Sequence, residues 1–301
     1  MTSGPPRIFD AHAQALHRAR ATRMTGERFL LVDAAEGVKD RLAPVNRTFA
    51  TALAIDGHAA DALQGAAATW RTGLFGADER LEVVGDDFDL AVSILSLHGM
   101  NALPGALVQI RRALKPDGLF VAALFGGETL CELREAFAAG EIETIGGITP
   151  RVAPFADVRE LGALLQRAGF ALPVADVERT SVLYRDFATL ANDLRLMGET
   201  NALAERQSLS RATLRAALAH YAAKYSDADG RLRATFDIVY LTGWAPHESQ
   251  QQPLKPGSAK VRLAQALGTV EQSAGDKAEP RLYQDSIDPE VMVAAKQVTE
   301  R

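Results

Sequence analysis

The sequence has few cysteines, no long apolar run and no excess of positive charge, and each of these features excludes or disfavours a class of protein. Its single cysteine, Cys131, excludes an intramolecular disulfide and a cluster of thiolate metal ligands, and it favours a reducing compartment. No apolar run approaches the roughly 20 residues of a transmembrane helix, which predicts a soluble protein. The formal net charge of -5 argues against a nucleic-acid partner, because such proteins carry basic patches.

The 301 residues, 47% of them hydrophobic, suffice for one large domain with appendages. Residues 1–45 show helical spacing and predict an N-terminal helical cap. Residues 46–268 predict one α/β domain, in which residues 186–226 form a helical insertion before the last strand. Residues 269–301 are rich in polar residues and predict a mobile tail.

A strand, helix and second strand are predicted within residues 87–131, around which the domain is organised. Residues 88–95 and 119–125 are short apolar runs typical of strands buried on both faces. Between them, apolar residues recur at spacings of three and four, which indicates a helix. The pattern predicts a right-handed βαβ crossover, whose two loops open at the sheet edge where ligands usually bind.

The strand FDLAVS, the segment IRRALKPDG and the apolar strand after it resemble the fourth and fifth strands of the class I S-adenosylmethionine-dependent methyltransferases. The resemblance implies a Rossmann-like α/β fold and S-adenosylmethionine as cofactor. In this superfamily the loop after the first strand carries closely spaced glycines, which let the backbone approach the cofactor. Here that loop follows residues 49–55, and only Gly57 occupies a glycine position; Asp56, His58 and Ala60 occupy the others.

The segment after the first strand is also short. Only 32 residues separate Asp56 from Asp89, whereas three helices and two strands would need roughly 43. We therefore expect an abbreviated cofactor-binding half, with a helix at 59–70, a strand near 74–77 and an edge strand at 81–84. The resemblance implies six cofactor-binding residues, namely Asp56, Gly57, His58, Asp78, Ser96 and Leu97. Because the loop lacks the closely spaced glycines and the following segment is short, we expect weak or absent cofactor binding.

Three further segments point to one family within this superfamily, namely FGGETL at 125–130, MGETNA at 197–202 and GWAPHESQ at 243–250. With most of residues 88–268, they resemble the family of the mitochondrial respiratory complex I assembly factor five and its alphaproteobacterial relatives. That family implies assembly of NADH:quinone oxidoreductase (complex I), associated in eukaryotes with hydroxylation of a subunit arginine. It implies a complex I subunit as protein substrate, peripheral association with the inner membrane through assembly intermediates, and a bacterial cytoplasm or mitochondrial matrix.

Candidate catalytic residues follow two of the predicted strands. His98 follows the fourth strand and could act as a base or orient a substrate. His247 and Glu248 follow the last predicted strand, which we expect to be antiparallel. With His98 they supply the ligand types of an iron hydroxylase, although no spacing supports that site and no metal is predicted. A packed histidine and a loop ion pair are the structural alternatives.

Candidate substrate-binding residues are Gly126, Gly127, Arg151 and Trp244. The two glycines would let a substrate backbone approach, and Arg151 would bind an acidic group. A simple turn, a solvated arginine and a core tryptophan are the alternatives. Three functions stay open: an enzyme that modifies a protein side chain, a pseudoenzyme that keeps the fold as a binding surface, and a carrier-protein O-methyltransferase of biotin synthesis.

Overall fold

The computed structural model describes residues 7–56, 58–85 and 87–251, together with positions 265 and 268. Contacts divide the chain into a unit of Met1–Gln250 and a unit of Gln251–Arg301, and the fold below is that of the first. The predicted tail, 269–301, lies outside the described residues. Within the described ranges, no helix is both long and apolar enough to cross a membrane.

Two helices precede the sheet, as predicted: α1 (Ala11–Ala21) and α2 (Phe29–Leu42). Asp10 caps α1 by accepting the backbone N–H groups of His12 and Ala13. On α2, the buried face carries small and aliphatic side chains that pack against the sheet. The helical cap is therefore part of the core.

The sheet has seven strands in the order β3-β2-β1-β4-β5-β7-β6. Strands β2, β1, β4 and β5 are parallel to one another, whereas β7 is antiparallel to both β5 and β6. This arrangement is the Rossmann-like class I methyltransferase fold that the sequence predicted. The strands are β1 (Phe49–Ile55), β2 (Ala67–Phe75), β3 (Leu81–Glu82), β4 (Phe88–Ile94), β5 (Leu114–Gly126), β6 (Ala171–Tyr184) and β7 (Leu232–Trp244).

Helices cover both faces of the sheet. Besides α1 and α2, the α-helices are α3 (His58–Ala62), α4 (Leu103–Ala113), α5 (Cys131–Ile145), α6 (Val158–Arg167), α7 (Phe187–Met197) and α8 (Arg211–Tyr225). One apolar core joins the sheet to α2, α3, α5, α7 and α8. The other joins it to α4 and α6. The two helices expected within 186–226 are thus present as α7 and α8.

The predicted βαβ crossover is confirmed as β4, α4 and β5. Leu90 and Ile94 of β4 lie beside Leu119 and Ala123 of β5 in parallel register. Because both strands run in the same direction, their carboxyl ends meet at one edge of the sheet. The loops that follow them, residues 95–102 and 127–130, therefore lie at that edge.

The abbreviated half is also confirmed, but its elements differ from the prediction. The helix expected at 59–70 ends at Ala62, and β2 already starts at Ala67. Gly65, at φ 90°, lies between them in a conformation that helices do not use. The alanine-rich segment after it pairs with β1, with Phe49 beside Ala67. Pairing with a neighbouring strand therefore overrides the helix propensity of alanine.

Candidate functional site

Strands β1, β4 and β5 end at one edge of the sheet, and two cavities lie there. One, which we call the Asp56 cavity, has about 250 Å³ and is lined by Asp56, Ser96 and Leu97 among others. The second, the His98 cavity, has about 320 Å³. Arg18 of α1 lines both cavities. Consecutive residues of the loop after β4 thus contribute to two adjacent sites.

The His98 cavity contains a pair of titratable side chains, of which that of His98 is buried and that of Glu199 is partly exposed. Nε2 of His98 lies 2.9 Å from Oε2 of Glu199, and only 6% of the His98 side chain is exposed. The His98 ring packs against Phe125 and Phe155, at centroid distances of 5.0 and 5.9 Å. Burial alone would raise the pKa of Glu199, but His98 and Arg18 hold that pKa below its ordinary value. The pair therefore presents a carboxylate that stays ionised beside an imidazole.

Glu199 reaches the cavity because α7 ends just before it. Gly198 adopts φ 78°, the left-handed conformation that ends helices, and donates its N–H to the Arg195 carbonyl. A Cβ added at Gly198 would lie 3.2 Å from Cα of Arg18. Glycine therefore also allows α7 to approach α1. Sequence reasoning missed Glu199, and the signal that could have found it is the MGETNA segment, whose glycine is followed directly by an acid.

The rest of the His98 cavity is mainly apolar, with basic side chains at its wall. Arg18 and Arg195 supply positive charge there. Two of the three segments that carry the family resemblance meet in this wall: Thr129 and Leu130 come from FGGETL, and residues 198–202 come from MGETNA. The aromatic and aliphatic side chains of the wall include Phe9, Phe125, Leu130, Leu133, Phe137, Phe155, Phe187, Leu194, Leu209 and Phe236.

Arg151 lines the same cavity, but its donors are engaged by the protein. Its Nε donates to Oε1 of Glu141 at 2.7 Å, and its terminal nitrogens donate to the carbonyls of Gln207 and Ser208. Glu141 is fully buried, and burial would raise its pKa; Thr149 and Arg151 together hold it below the ordinary value. Arg151 therefore ties the loop after α5 to the segment before α8.

Gly126 is the last residue of β5 and is buried, and Gly127, which follows it, is partly exposed. A Cβ added at Gly126 would lie 2.5 Å from Cγ2 of Val239 and 3.0 Å from the Ala156 carbonyl. Gly127 adopts φ 44° and donates its N–H to that carbonyl. The expectation that a substrate backbone approaches here needs correction for Gly126, because β7 and the loop before α6 occupy the space.

The Asp56 cavity contains a buried carboxylate that accepts hydrogen bonds. Asp56 adopts φ 91°, and its Oδ1 accepts the backbone N–H of His58 at 3.1 Å. The Ser93 and Ser96 hydroxyls lie 2.7 Å apart, and the Ser93 hydroxyl donates to Oδ2 of Asp56 at 3.5 Å. Burial raises the pKa of Asp56 to about 6, although Ser96 and Arg18 oppose the shift.

Only some of the predicted cofactor-binding residues meet at this cavity. Asp56, Ser96 and Leu97 line it, whereas His58 begins α3 and is not part of the lining. Asp78 accepts the N–H of Arg80 within its own turn and lines a neighbouring groove. The cofactor contact predicted for Asp78 therefore needs correction, because Asp78 does not line the Asp56 cavity, although its neighbours Ala77 and Glu79 do. Gly57 lies outside the described residues.

The residues present do not match S-adenosylmethionine well. Asp56 places a buried carboxylate where a methyltransferase would bring an open glycine backbone to the methionine end of the cofactor. The cavity, at about 250 Å³, is also smaller than the roughly 300–1,000 Å³ of typical ligand pockets. Arg18 is the side chain that suits the cofactor's carboxylate.

Trp244, His247 and Glu248 lie at the opposite edge of the sheet. Gly126, at the carboxyl end of β5, lies beside Asp237, whereas Trp244 lies beside Leu119. The seven residue steps from Asp237 to Trp244 along β7 span about 23 Å. The predicted catalytic set therefore needs correction: an antiparallel β7 carries 244–248 away from His98, which its predicted direction already implied.

His247 has local partners at that edge. Its Nδ1 lies 2.7 Å from the Ser249 hydroxyl, and Gln250 donates to the Ala245 carbonyl. Trp244 faces the guanidinium of Arg47 at 5.9 Å. No group of three histidine, cysteine, aspartate or glutamate side chains within the described ranges could hold a metal ion.

Comparison with known proteins agrees with the topology. Residues 32–122 match a family model described as a methyltransferase domain. The chain is 45% identical, over 188 residues, to the protein of Danio rerio named arginine-hydroxylase NDUFAF5, mitochondrial; the match covers 62% of this chain and 59% of that one. The resemblance to class I methyltransferases, and to NDUFAF5, is confirmed.

A second group of relatives carries another name. This methyltransferase-like chain is 35% identical to the malonyl-[acyl-carrier protein] O-methyltransferase of Xylella fastidiosa, over 58% of this chain and 57% of that one. The crystal structure of the YcgJ protein from Bacillus subtilis superposes with a TM-score of 0.47 at 13% identity, covering 70% of this chain and 99% of that one. The matches span 45% to 59% of the first relatives' own length, about half.

Proposed function

We propose that this chain acts in the assembly of respiratory complex I, as a methyltransferase-family protein that binds a segment of a complex I subunit in the His98 cavity. One observation carries the proposal: the FGGETL and MGETNA segments, which begin 72 positions apart in sequence, meet in the wall of that cavity. Segments that distinguish a family and converge on one cavity support a shared ligand there. The proposed location is a bacterial cytoplasm, or the mitochondrial matrix in a eukaryote.

An arginine side chain of the subunit is the proposed group that enters the cavity. The ionised Glu199 carboxylate offers an acceptor to a guanidinium, and the rings of Phe125 and Phe155 offer faces on which it can stack. The relatives named arginine hydroxylases support this choice. His98 is the proposed base or orienting group, because it is the buried titratable partner of Glu199.

Two alternatives rest on observations of their own. Arg18 and Arg195 at the cavity wall favour an acidic substrate, as a carrier-protein O-methyltransferase of biotin synthesis would require. The buried Asp56 favours a pseudoenzyme that keeps the fold as a binding surface without S-adenosylmethionine. Each alternative predicts a different phenotype in the same strain.

The test is deletion of the gene in the source organism. Loss of assembled complex I on native gels, with recovery by the wild-type gene, would support the proposal. Unchanged assembly and unchanged NADH:quinone activity would refute it. Biotin auxotrophy with intact complex I would favour the carrier-protein methyltransferase. Mass spectrometry of complex I subunits then separates enzyme from scaffold, because only an enzyme leaves an arginine heavier by an oxygen atom or a methylene group.

A further inference from the structure

A groove of about 920 Å³, lined by apolar and charged residues, lies beside the Asp56 cavity and has no part in the proposed function. Its lining comes from the segment that leads into α1, from the turn at 77–80, and from α4 with the two residues before it. Ala11, His12, Ala77 and Glu79 line both the groove and the Asp56 cavity, so the two are adjacent. We call it the arginine groove, after Arg7, Arg80 and Arg112.

Each carboxylate of the arginine groove already has donors within the protein. Asp10 caps α1 and accepts from Arg206 at 2.8 Å. Glu79 accepts the backbone N–H groups of Asn101 and Ala102, at 2.7 and 2.6 Å, just before α4 begins. Asp78 accepts the N–H of Arg80. The negative charges of the groove are therefore held by helix ends and turns.

The arginines of the groove, by contrast, have no carboxylate partner among the described residues. Arg7, Arg80 and Arg112 are all exposed, and within the part of the chain that the structure describes none lies within 4.0 Å of a carboxylate oxygen. His12 adds a further exposed nitrogen donor. Three guanidinium groups on three separate elements thus line one opening.

One side of the groove is formed by the short connection between β2 and β3. Between β2 and β3 the chain makes only a tight turn, in which Gly76 donates to the Arg80 carbonyl, and β3 then pairs antiparallel with β2. The turn brings Arg80 into the lining of the same groove as Arg112 of α4 and Arg7 before α1.

We propose that the arginine groove binds a small-molecule ligand that carries a phosphate ester. Guanidinium groups bind phosphate oxygens through paired N–H donors, and three of them match a phosphate or diphosphate group. The volume of about 920 Å³ falls within the range of sites for nucleotide-sized ligands. Its continuity with the Asp56 cavity would let such a ligand extend towards the ends of β1 and β2.

The test is titration calorimetry of the full chain at low ionic strength with inorganic pyrophosphate as the probe. Each arginine removed should weaken binding about tenfold or more. The double variant Arg80→Gln/Arg112→Gln should therefore bind about a hundredfold more weakly. The matched control is Arg159→Gln/Arg167→Gln, which removes the same charge from exposed positions of α6 and should bind within about twofold of the wild type.

Two further ligands distinguish the source of the phosphate. Tighter binding of ADP than of pyrophosphate would indicate a nucleotide, and tighter binding of 4′-phosphopantetheine would indicate a carrier-type ligand. Absence of heat with pyrophosphate at millimolar concentration would overturn the proposal. Equal weakening in both double variants would also overturn it, because that result indicates only a general ionic attraction. Circular dichroism of both variants establishes that they are folded.

Discussion

Gly37 of α2 lies directly against the phenol hydroxyl of Tyr240 in β7, so that a Cβ at residue 37 would overlap that oxygen. The guanidinium of Arg41 covers the Tyr240 ring at 3.4 Å from its centroid, which limits the ring's freedom to move aside. We expect Gly37→Ala to lower the free energy of unfolding by about 1–3 kcal/mol through overpacking. Urea denaturation followed by circular dichroism measures this change.

Gly162 of α6 provides the matched control, because it is also a glycine within a helix. A Cβ added there would meet only the Cβ of Ala175, at 3.5 Å, an ordinary contact. Gly162→Ala should therefore raise the free energy of unfolding by about 0.5–1 kcal/mol, since alanine favours helix. A change of the same sign in both variants would contradict the packing argument.

The positive charge of Arg151 offsets the negative charge of the Glu141 carboxylate, which is fully buried. Arg151→Ala would leave Glu141 without its ionic partner, and breaking such a pair typically costs about 3–5 kcal/mol. Arg159→Ala, which removes an exposed arginine, should change stability by less than about 0.5 kcal/mol. The double variant Arg151→Ala/Glu141→Ala should recover part of the loss, as a double-mutant cycle in urea would show. Additive losses would mean that the two side chains do not interact.

Asp56 makes the stability of the protein depend on pH. Its folded pKa of about 6 exceeds the ordinary 3.8, so the folded state binds the proton more tightly than the unfolded state. Stability contributed by this group should therefore fall as pH rises from about 4 to about 6 and stay low above that. Asp56→Asn should be more stable than the wild type at pH 7, by on the order of 2–3 kcal/mol.

The advantage of Asp56→Asn should vanish below about pH 4, where the carboxyl group is protonated in both states. Thermal unfolding of both proteins at several pH values measures this difference in stability. Asp61→Asn, at an exposed position of α3, is the control and should show no such pH dependence. An advantage that is constant across pH would assign the effect to something other than titration of Asp56.

S-adenosylmethionine should stabilise the wild-type protein little. A ligand at a hundredfold excess over its Kd stabilises the native state by about 2.7 kcal/mol, which a thermal melt detects. Two carboxylates about 4 Å apart repel by roughly 4 kcal/mol at an effective dielectric constant of 20. Asp56→Gly removes one of them at φ 91°, a conformation suited to glycine, so its melting temperature should respond more strongly to the cofactor.

A clear shift of the wild-type melting temperature at sub-millimolar S-adenosylmethionine would contradict this expectation. It would show that the Asp56 cavity accepts the cofactor despite its charge and volume. The enzyme would then be favoured over the scaffold. Asp61→Gly serves as a control for unrelated effects of adding a glycine near α3.

Glu199 should be required for function if the His98 cavity binds the partner. Glu199→Gln keeps the shape of the side chain but removes the charge that faces His98 and the cavity. We expect this variant to fold and to restore complex I poorly in the deletion strain. Glu205→Gln, in the exposed segment before α8, should restore it as the wild type does. Full activity of Glu199→Gln would exclude the carboxylate from partner binding.

Local pattern predicted much of the fold, as the βαβ crossover shows. The apolar runs of β4 and β5 and the helical spacing of α4 reflect contacts within each element, so they can be read in sequence order. The same reasoning predicted the antiparallel last strand and the shortened region after β1. It misplaced the helix at 59–70, because the pairing of β2 with β1 depends on a neighbour outside that segment.

The sequence by itself determined the fold, the family resemblance and one member of the site, His98. Only the tertiary structure decided which side chains meet there. Glu199 joins His98 across 101 positions because the turn at Gly198 brings the end of α7 against α1. His247 and Glu248 lie about one strand length away from His98, because β7 is antiparallel to its neighbours. Pairing between distant residues depends on strand direction and helix packing, which no local spacing encodes.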